Sequence, residues 1–157
     1  MIGRGAMSNS IEELATSKLL LVTGSNTTEA HPVISLRMKR AVRNGAKLIV
    51  VDPRKIELTR WADRYVQIKI GTDIPFFNAV AHVMIKEGLY DKEYVRNRTE
   101  GFEEFARHVT EHYPPEVAAK ICEVDVGDIY YVAREYGKAP LSMPLVRHFA
   151  QPFEEPQ

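Results

Sequence analysis

The sequence contains a single cysteine, Cys122, in 157 residues. One cysteine cannot form a disulfide within the chain or supply the several thiolates of a zinc or iron–sulfur site. The sequence also lacks an apolar run approaching the roughly 18 residues of a membrane-spanning helix. Its first fifteen residues lack the charged and then apolar pattern of a secretory signal. We therefore expect a cytoplasmic protein that has no membrane partner.

Net charge is absent as well, because 21 basic residues balance 21 acidic ones. The two signs are nevertheless separated along the chain. Residues 31–70 hold ten Lys or Arg against three Asp or Glu, whereas residues 71–136 hold seven against thirteen. The basic stretch could attract a phosphate ligand. Four of its residues are more typical of a solvated helix face: Arg37, Lys39, Arg40 and Arg43. Nucleic-acid binding is not expected, since these residues lack interleaved aromatics and the whole chain is neutral.

Two short apolar runs in the first third of the chain predict neighbouring strands of a parallel sheet. Residues 19–22 (LLLV) and 47–51 (KLIVV) are bounded by Gly, Asn or Asp-Pro, which is typical of strands buried on both faces. Residues 32–44 between them show the apolar spacing of a helix, and Gly45 provides a left-handed stop. A strand, a helix and a second strand in this order form the basic unit of a parallel sheet.

Later segments complete the predicted fold. Residues 65–70 alternate as a third strand, residues 74–87 predict a long helix, and helical patterns continue to residue 137. Four prolines then leave no room for a long helix or a central strand: Pro140, Pro144, Pro152 and Pro156. We predict an α/β fold with a three-layer, mostly parallel, Rossmann-like sheet followed by a helical segment. Its domain spans residues 1–137, and an irregular, divergent C-terminal tail spans residues 138–157.

Polar turns follow all three predicted strands, at residues 24–26 (GSN), 52–54 (DPR) and 71–73 (GTD). Ligands of parallel sheets bind beyond the carboxyl ends of the strands, where these turns lie. Gly24 can turn backbone N–H groups towards an anion. Asp52 can accept from ribose hydroxyls or guanine N–H groups, and Arg54 can bind a phosphate. Each turn alone is also explained as a connecting loop or a cap, but three in succession indicate a phosphate- or nucleotide-binding edge.

No catalytic residue or metal ligand is predicted from the remaining reactive side chains. His31 is more typical of a buried, hydrogen-bonded histidine than of a catalytic one. The other histidines show no metal-ligand spacing with carboxylates. Cys122 lies in an Ala- and Ile-rich helical segment and is predicted to be a small core residue. Trp61 is predicted in the core as well, where it could frame a base-binding pocket.

Linked motifs across residues 3–137 resemble the molybdopterin oxidoreductases, and among them most strongly the catalytic (alpha) subunits of formate dehydrogenases. The motifs that carry the resemblance are GAMSNSI at 5–11, VTGSN at 22–26 with His31-Pro32, NGAK at 44–47, DPRK at 52–55, AD at 62–63, GTD at 71–73, EGLYD at 87–91 and RTEGFE at 98–103. The resemblance implies a domain of the formate dehydrogenase/DMSO reductase type. It also implies molybdenum or tungsten held by two molybdopterin guanine dinucleotides, with an iron–sulfur cluster nearby.

The resemblance also assigns residues to one of those dinucleotides. Gly24, Ser25, Asn26 and Glu29 would line the pyrophosphate and ribose side. Asp52, Pro53 and Arg54 would hold the nucleoside end, while Gly71 and Asp73 would bind the guanine. These are the turns at which the residues themselves predict an anion and a ribose.

The sequence departs from the family in what it lacks. Several features of full-length members have no match here: the metal-binding Cys or selenocysteine, its neighbouring His, the cluster cysteines, the substrate-binding Arg and the second dinucleotide-binding domain. The tail from Pro140 also differs from the family pattern. We therefore expect an internal fragment of a formate dehydrogenase alpha subunit that is inactive alone, with the iron–sulfur cluster outside this chain. Its partners would be the remaining alpha-subunit domains and electron-transfer subunits, and exposed interfaces could drive self-association.

Two alternatives stay open. One is a non-catalytic structural module of an electron-transfer complex with the same fold, a reading that loss of the polar turn residues would have favoured. The other keeps the enzyme class and changes the substrate, for example to nitrate, because the substrate-contacting residues lie outside the chain and fold alone does not decide chemistry.

Overall fold

A computed structural model describes residues 11–139 and 142–146 of the chain. Within these ranges, four parallel strands form one sheet in the order β3-β2-β1-β4. The strands are β1 (Leu19–Thr23), β2 (Lys47–Val51), β3 (Arg64–Val66) and β4 (Ser142–Val146). β1 and β2 pair along their whole length, with Thr23 opposite Val51. The carboxyl ends of these two strands therefore lie side by side.

Helices connect and cover the strands. A 3₁₀ helix, Ile11–Ala15, precedes β1, and a second one, Glu57–Trp61, connects β2 to β3. The α-helices are α1 (Thr27–Ala30), α2 (Pro32–Arg43), α3 (Asp73–Glu87), α4 (Lys92–Arg98), α5 (Phe102–His112), α6 (Pro115–Cys122) and α7 (Val126–Lys138). No helix in the described ranges combines the length and the apolar character that crossing a bilayer requires.

The alternation of side chains along the central strands produces three layers. Leu19, Leu21 and Ile49 pack on one face of the sheet with residues of α3, α6 and α7. Leu20 and Leu48 pack on the other face with residues of α2 and of both 3₁₀ helices. All five residues of β1 are buried, because each face of the sheet is covered by helices. The predicted three-layer α/β architecture is confirmed.

The third strand is shorter than residues 65–70. Beyond Val66 the chain keeps its alternation, and Ile68 is buried in the core, but the backbone leaves the sheet. The N–H of Lys69 donates to the carbonyl of Cys122 at 2.9 Å, at the end of α6. The alternating pattern therefore reports burial against a helix as well as pairing in a sheet.

The segment predicted as an irregular tail contains β4, so that prediction is wrong for residues 142–146. β4 pairs with β1 at the edge of the sheet, with Pro144 opposite Leu21. An edge strand needs ladder hydrogen bonds along one side only, which is why it tolerates a proline that a central strand would not. The domain boundary at residue 137 stays a prediction, and residues 5–10 of the first motif lie outside the described residues.

Candidate functional site

The structure brings the first two polar turns together at the carboxyl edge of the sheet. The N–H of Gly24 donates to the carbonyl of Val51 at 3.4 Å, and the N–H of Asp52 donates to the carbonyl of Val66 at 3.2 Å. The hydrogen-bond ladder thus continues one residue past the ends of β1 and β2. Gly24 and Asp52 consequently leave the sheet from adjacent positions, as the parallel arrangement predicts.

The first turn is built for tight backbone curvature with polar side chains held inside. Gly24 has a φ of 56°, a left-handed conformation that favours glycine. Ser25 is buried after it, and Asn26 is half-buried before the short helix α1. Thr27 is only 2% exposed. Glu29, the fourth residue assigned to this turn, lies exposed on α1.

Asp52 is the most enclosed polar residue of the second turn, at 1% exposure. Its Oδ1 accepts a hydrogen bond from the backbone N–H of Arg54 at 2.8 Å, which closes an Asx-type turn. The Arg54 guanidinium Nε lies 3.9 Å from the same oxygen. The Arg54 side chain remains 69% exposed, so it can reach a further anion.

Two residues on the neighbouring chain segment hold the second turn in place, and sequence reasoning did not assign them to the site. The hydroxyl of Tyr65 donates to the carbonyl of Asp52 at 3.1 Å, and the amide of Gln67 donates to the carbonyl of Pro53 at 3.0 Å. Burial raises the pKa of Tyr65, and the nearby charge of Asp52 raises it further. The phenol is therefore a stable donor to this turn at neutral pH. Their spacing of two residues, one within β3 and one just after it, was the available signal.

Unpaired buried oxygens concentrate at this edge. In the described part of the chain, three buried side-chain N or O atoms have no hydrogen-bond partner: Asn26 Oδ1, Thr27 Oγ1 and Asp52 Oδ2. All three belong to the first two turns or to the residue that follows. Most buried polar groups in proteins are paired, and leaving one unpaired costs about 1–3 kcal/mol. A ligand with hydroxyl or N–H donors would recover that cost.

The third turn stands apart from the other two in its contacts. Gly71 has a φ of 80° and open space where a Cβ would lie. Asp73 is exposed in the first turn of α3, where its charge also favours the helix N-terminus. The hydroxyl of Thr72, between them, donates to the carbonyl of Lys69 at 2.7 Å. These contacts connect the turn to α3 and α6, and none of them joins it to Gly24 or Asp52.

Several other predicted residues have structural partners instead of site contacts. Lys39 bonds Glu57 at 2.9 Å and lies 5.7 Å from the centroid of the Trp61 ring, with Arg43 at 5.2 Å from the same ring. Half-buried Trp61 packs against the core cluster on the α2 side of the sheet. The side chains of Lys39 and Arg43 therefore pack near the Trp61 ring. These contacts explain the position of two basic residues of α2 without a phosphate ligand.

His31 and Cys122 gave opposite outcomes. His31 is exposed, so its predicted burial is wrong. The residue lies at the junction of α1 and α2. Its backbone N–H donates to the carbonyl of Thr27, and its carbonyl accepts from the N–H of Ser35. Its ring is exposed to solvent. Cys122 is fully buried in the core, as predicted, and its thiol donates to the carbonyl of Thr72 at 3.5 Å. Burial raises the pKa of this thiol, which keeps it protonated.

An open groove elsewhere on the surface is lined by charged and aromatic residues of β3 and α7. It includes Arg64, Asp128, Tyr131 and Arg134. Arg64 is the first residue of β3, so the groove lies at the opposite end of the strands from the polar turns. The edge formed by residues 24–27 and 52–54 is therefore the candidate site, and we call it the polar edge.

Comparisons with known proteins identify the family of the chain. The family model described as "Molybdopterin oxidoreductase" matches residues 2–146. Formate dehydrogenase H of Escherichia coli is 46% identical over 138 residues, covering 88% of this chain and 19% of that relative. The F420-dependent formate dehydrogenase subunit alpha of Methanocaldococcus jannaschii is 47% identical over 137 residues, covering 87% of this chain and 20% of that relative.

Other similar proteins carry different named activities. A nitrate reductase of Synechocystis is 32% identical over 136 residues, covering 85% of this chain and 19% of that relative. In three dimensions the chain resembles acetylene hydratase from Pelobacter acetylenicus with a TM-score of 0.74 and 36% identity, over 82% of this chain and 18% of that one. The chain spans about a fifth of the length of the curated relatives it matches. It belongs to the molybdopterin oxidoreductase family.

Proposed function

We propose that the polar edge binds one guanine dinucleotide arm of a molybdopterin cofactor. The observation that carries this proposal is the presence of three unpaired, buried oxygens on residues 26, 27 and 52. These residues lie beyond the carboxyl ends of two adjacent parallel strands. Guanine and ribose present N–H and O–H donors, which match these acceptors. The Arg54 guanidinium, and the backbone N–H groups that follow the left-handed turn at Gly24, would add donors for the pyrophosphate.

Each predicted residue has a part in this proposal. Gly24, Ser25, Asn26 and Glu29 would line the pyrophosphate and ribose side, and Asp52, Pro53 and Arg54 would hold the nucleoside end. Gly71 and Asp73 would complete the guanine end, since Gly71 leaves open space beside its backbone. We add Thr27, whose buried hydroxyl is unpaired. The cofactor, when bound, supplies two-electron chemistry at molybdenum or tungsten, and this chain positions its nucleotide.

For the parent enzyme we propose the oxidation of formate to carbon dioxide at a centre held by two molybdopterin guanine dinucleotides. The identities of 46% and 47% to formate dehydrogenases, against 32% to a nitrate reductase, support formate over nitrate. The rest of the alpha subunit would supply the metal-binding and substrate-binding residues, and the iron–sulfur cluster would lie outside this chain. Electron-transfer subunits would be further partners, in the cytoplasm, and the chain alone would be inactive.

A structural module without the cofactor is the weaker candidate. Such a module would have no use for buried carboxylate and amide oxygens without partners, whereas both occur at the polar edge. Exposed apolar side chains support contacts with further domains or self-association in the isolated chain. They include Val33 and Leu36 on α2 and Ile70 and Ile74 beside the third turn.

A GDP titration tests the proposed site, with ATP as the control nucleotide. GDP carries the guanine, ribose and pyrophosphate of the cofactor arm. At ten times its Kd, a ligand that binds only the folded chain adds about 1.4 kcal/mol to the free energy of unfolding. For a chain of this size we expect GDP to raise the Tm by about 3–6 °C, and ATP to raise it less.

Two variants assign that shift to the polar edge. Asp52→Ala should abolish the GDP response, because it removes the buried acceptor. Asp91→Ala is the matched control: Asp91 caps α4 through the N–H of Tyr94 at 2.8 Å, and its loss should leave the GDP response intact. Equal shifts with GDP and ATP, or an Asp52→Ala variant that responds like the parent chain, would refute the site.

A further inference from the structure

Two histidines form a contacting pair on the exposed surface of α5. His108 and His112 are separated by four residues, and their ring centroids lie 4.7 Å apart with an interplanar angle of 25°. Both side chains are exposed. Residues at positions i and i+4 of a helix lie one above the other on the same face, so both imidazoles point out from one spot on the surface.

The hydrogen bond of His112 selects the ring nitrogen that is open to a ligand. Its Nδ1 lies 3.0 Å from the carbonyl oxygen of His108. A carbonyl oxygen can only accept, so Nδ1 carries the hydrogen and Nε2 of the neutral ring keeps its lone pair. Metal-binding histidines commonly show this arrangement, in which the other ring N–H donates to a backbone carbonyl and orients the ring.

The helix beneath the pair is held firmly. Val109, between the two histidines, is fully buried. The carbonyl of Val109 accepts from Nδ1 of His82 on α3 at 3.2 Å. The hydroxyl of Thr110 bonds the carbonyl of Ala106 at 2.6 Å within α5. The two exposed rings therefore project from a backbone that is anchored to the core, which limits the entropy lost when they bind a common ion.

We propose that His108 and His112 form a two-imidazole site for a borderline divalent transition metal ion, of the class of Zn²⁺, Ni²⁺ or Cu²⁺. Imidazole nitrogen suits these ions, and a spacing of i and i+4 on a helix lets two histidines reach one ion. No cluster of three or more His, Cys, Asp or Glu that could hold a metal occurs among the described residues. Water would complete the coordination, and the site would be open and exchangeable.

This site is separate from the polar edge and does not rest on the proposed function. The prediction of no metal ligands considered only histidines spaced with carboxylates. It therefore missed a pair in which both ligands are histidines. Because α5 packs against α3 and not against residues 24–27 or 52–54, a metal ion on this pair should leave the response of the chain to GDP unchanged.

Calorimetric titration of the untagged 157-residue chain with Ni²⁺ or Zn²⁺ tests the pair. We expect a saturable site in the parent chain and a loss of affinity of more than roughly tenfold in both His108→Asn and His112→Asn. His31→Asn and His148→Asn are controls that keep the number of histidines equal to that of the test variants. Both controls should bind like the parent chain.

A spectroscopic readout locates the ion independently of affinity. Substoichiometric Cu²⁺ should broaden the NMR signals of His108 and His112 ahead of those of the other histidines. Because both side chains are exposed, the variants should keep the Tm of the metal-free parent chain, so a lost titration signal reports lost ligands. Unchanged affinity in both test variants, or an equal loss in either control, would overturn the proposal.

Discussion

Asp52, in the sheet half of the molecule (residues 11–66), differs from two aspartates that cap helices in the helical half (residues 73–138). In the helical half, Asp91 and Asp125 each cap a helix through a backbone N–H, at 2.8 Å from Tyr94 and 2.6 Å from Gly127. In the sheet half, Asp52 makes a similar local bond to Arg54 but is buried with its second oxygen unpaired. Asp91 and Asp125 therefore complete local structure, whereas Asp52 leaves binding capacity.

The strand β1 and the helix α4 also differ in burial. β1 is buried along its entire length, whereas α4 contains no buried residue. The sheet half thus provides a rigid platform beneath the polar edge, and an unpaired carboxylate is tolerated there because the surrounding core fixes the backbone. The stability lost by leaving a buried oxygen unpaired is typical of sites where binding, and not folding, determines which residue is present.

The largest expected effect concerns that platform. Leu48 on β2 is fully buried, whereas Leu36 on α2 is 66% exposed. Leu48→Ala should lower the free energy of unfolding by about 2–5 kcal/mol, because it removes buried methyl groups and leaves a cavity. Leu36→Ala, the matched control, should change it by less than about 0.5 kcal/mol. Urea unfolding of both variants measures the difference, and similar values would remove the distinction between platform and surface.

A smaller effect is expected from the helix caps. Asp125→Ala should lower the free energy of unfolding by about 1 kcal/mol, because the N–H of Gly127 loses its acceptor. Asp125→Asn keeps an acceptor at the same position and should stay close to the parent chain. Thermal unfolding monitored by circular dichroism measures both, and an equal loss in the two variants would show that charge, not the hydrogen bond, carries the capping.

The smallest effect is a difference in pH dependence between two carboxylates near α7. The hydrogen bonds from Arg134 lower the pKa of Glu87, so Glu87 stabilises the fold above its ordinary pKa of 4.5. That contribution is lost as the pH falls through the lowered pKa. Burial raises the pKa of Asp128, and the Arg64 charge offsets part of this increase. Its ionised form is therefore destabilising above the raised pKa, and this effect vanishes below the ordinary value of 3.8.

These opposite signs can be measured on two variants. At pH 7, Glu87→Gln should unfold at a lower Tm than the parent chain, and Asp128→Asn should unfold at the same or a higher Tm. Both differences should shrink when the melts are repeated near pH 3. Differences of the same sign at pH 7, or differences that grow in acid, would contradict the assignment.

Much of the platform was predictable from the sequence. Residues 19–22 and 47–51 are continuous apolar runs, and only strands covered on both faces bury such runs in pieces of this length. Gly88 ended the predicted long helix correctly, with a φ of 66° at the C-cap of α3. Elements with strong periodicity and a clear cap were predicted within one or two residues.

Other features depend on tertiary contacts that no local pattern carries. β4 includes Pro144, and its pairing with β1 requires an open sheet edge more than 100 residues earlier in the sequence. The four residues of α1 are too few to show a helical period. Asp52 and Asp125 look alike in sequence, and only their surroundings reveal that one keeps an unpaired oxygen. The proposed ligands at the polar edge remain predictions.

The most direct test of the central claim is the stability of Asp52→Asn with and without GDP, measured by urea unfolding. We predict that the ligand-free variant is at least as stable as the parent chain, with a gain of up to about 1 kcal/mol, because a buried carboxylate with one unpaired oxygen becomes a neutral amide. With GDP present, the order should reverse, since the variant gains less from the ligand. A ligand-free variant that is much less stable, or an equal gain from GDP in both chains, would show that Asp52 serves the fold and not a nucleotide.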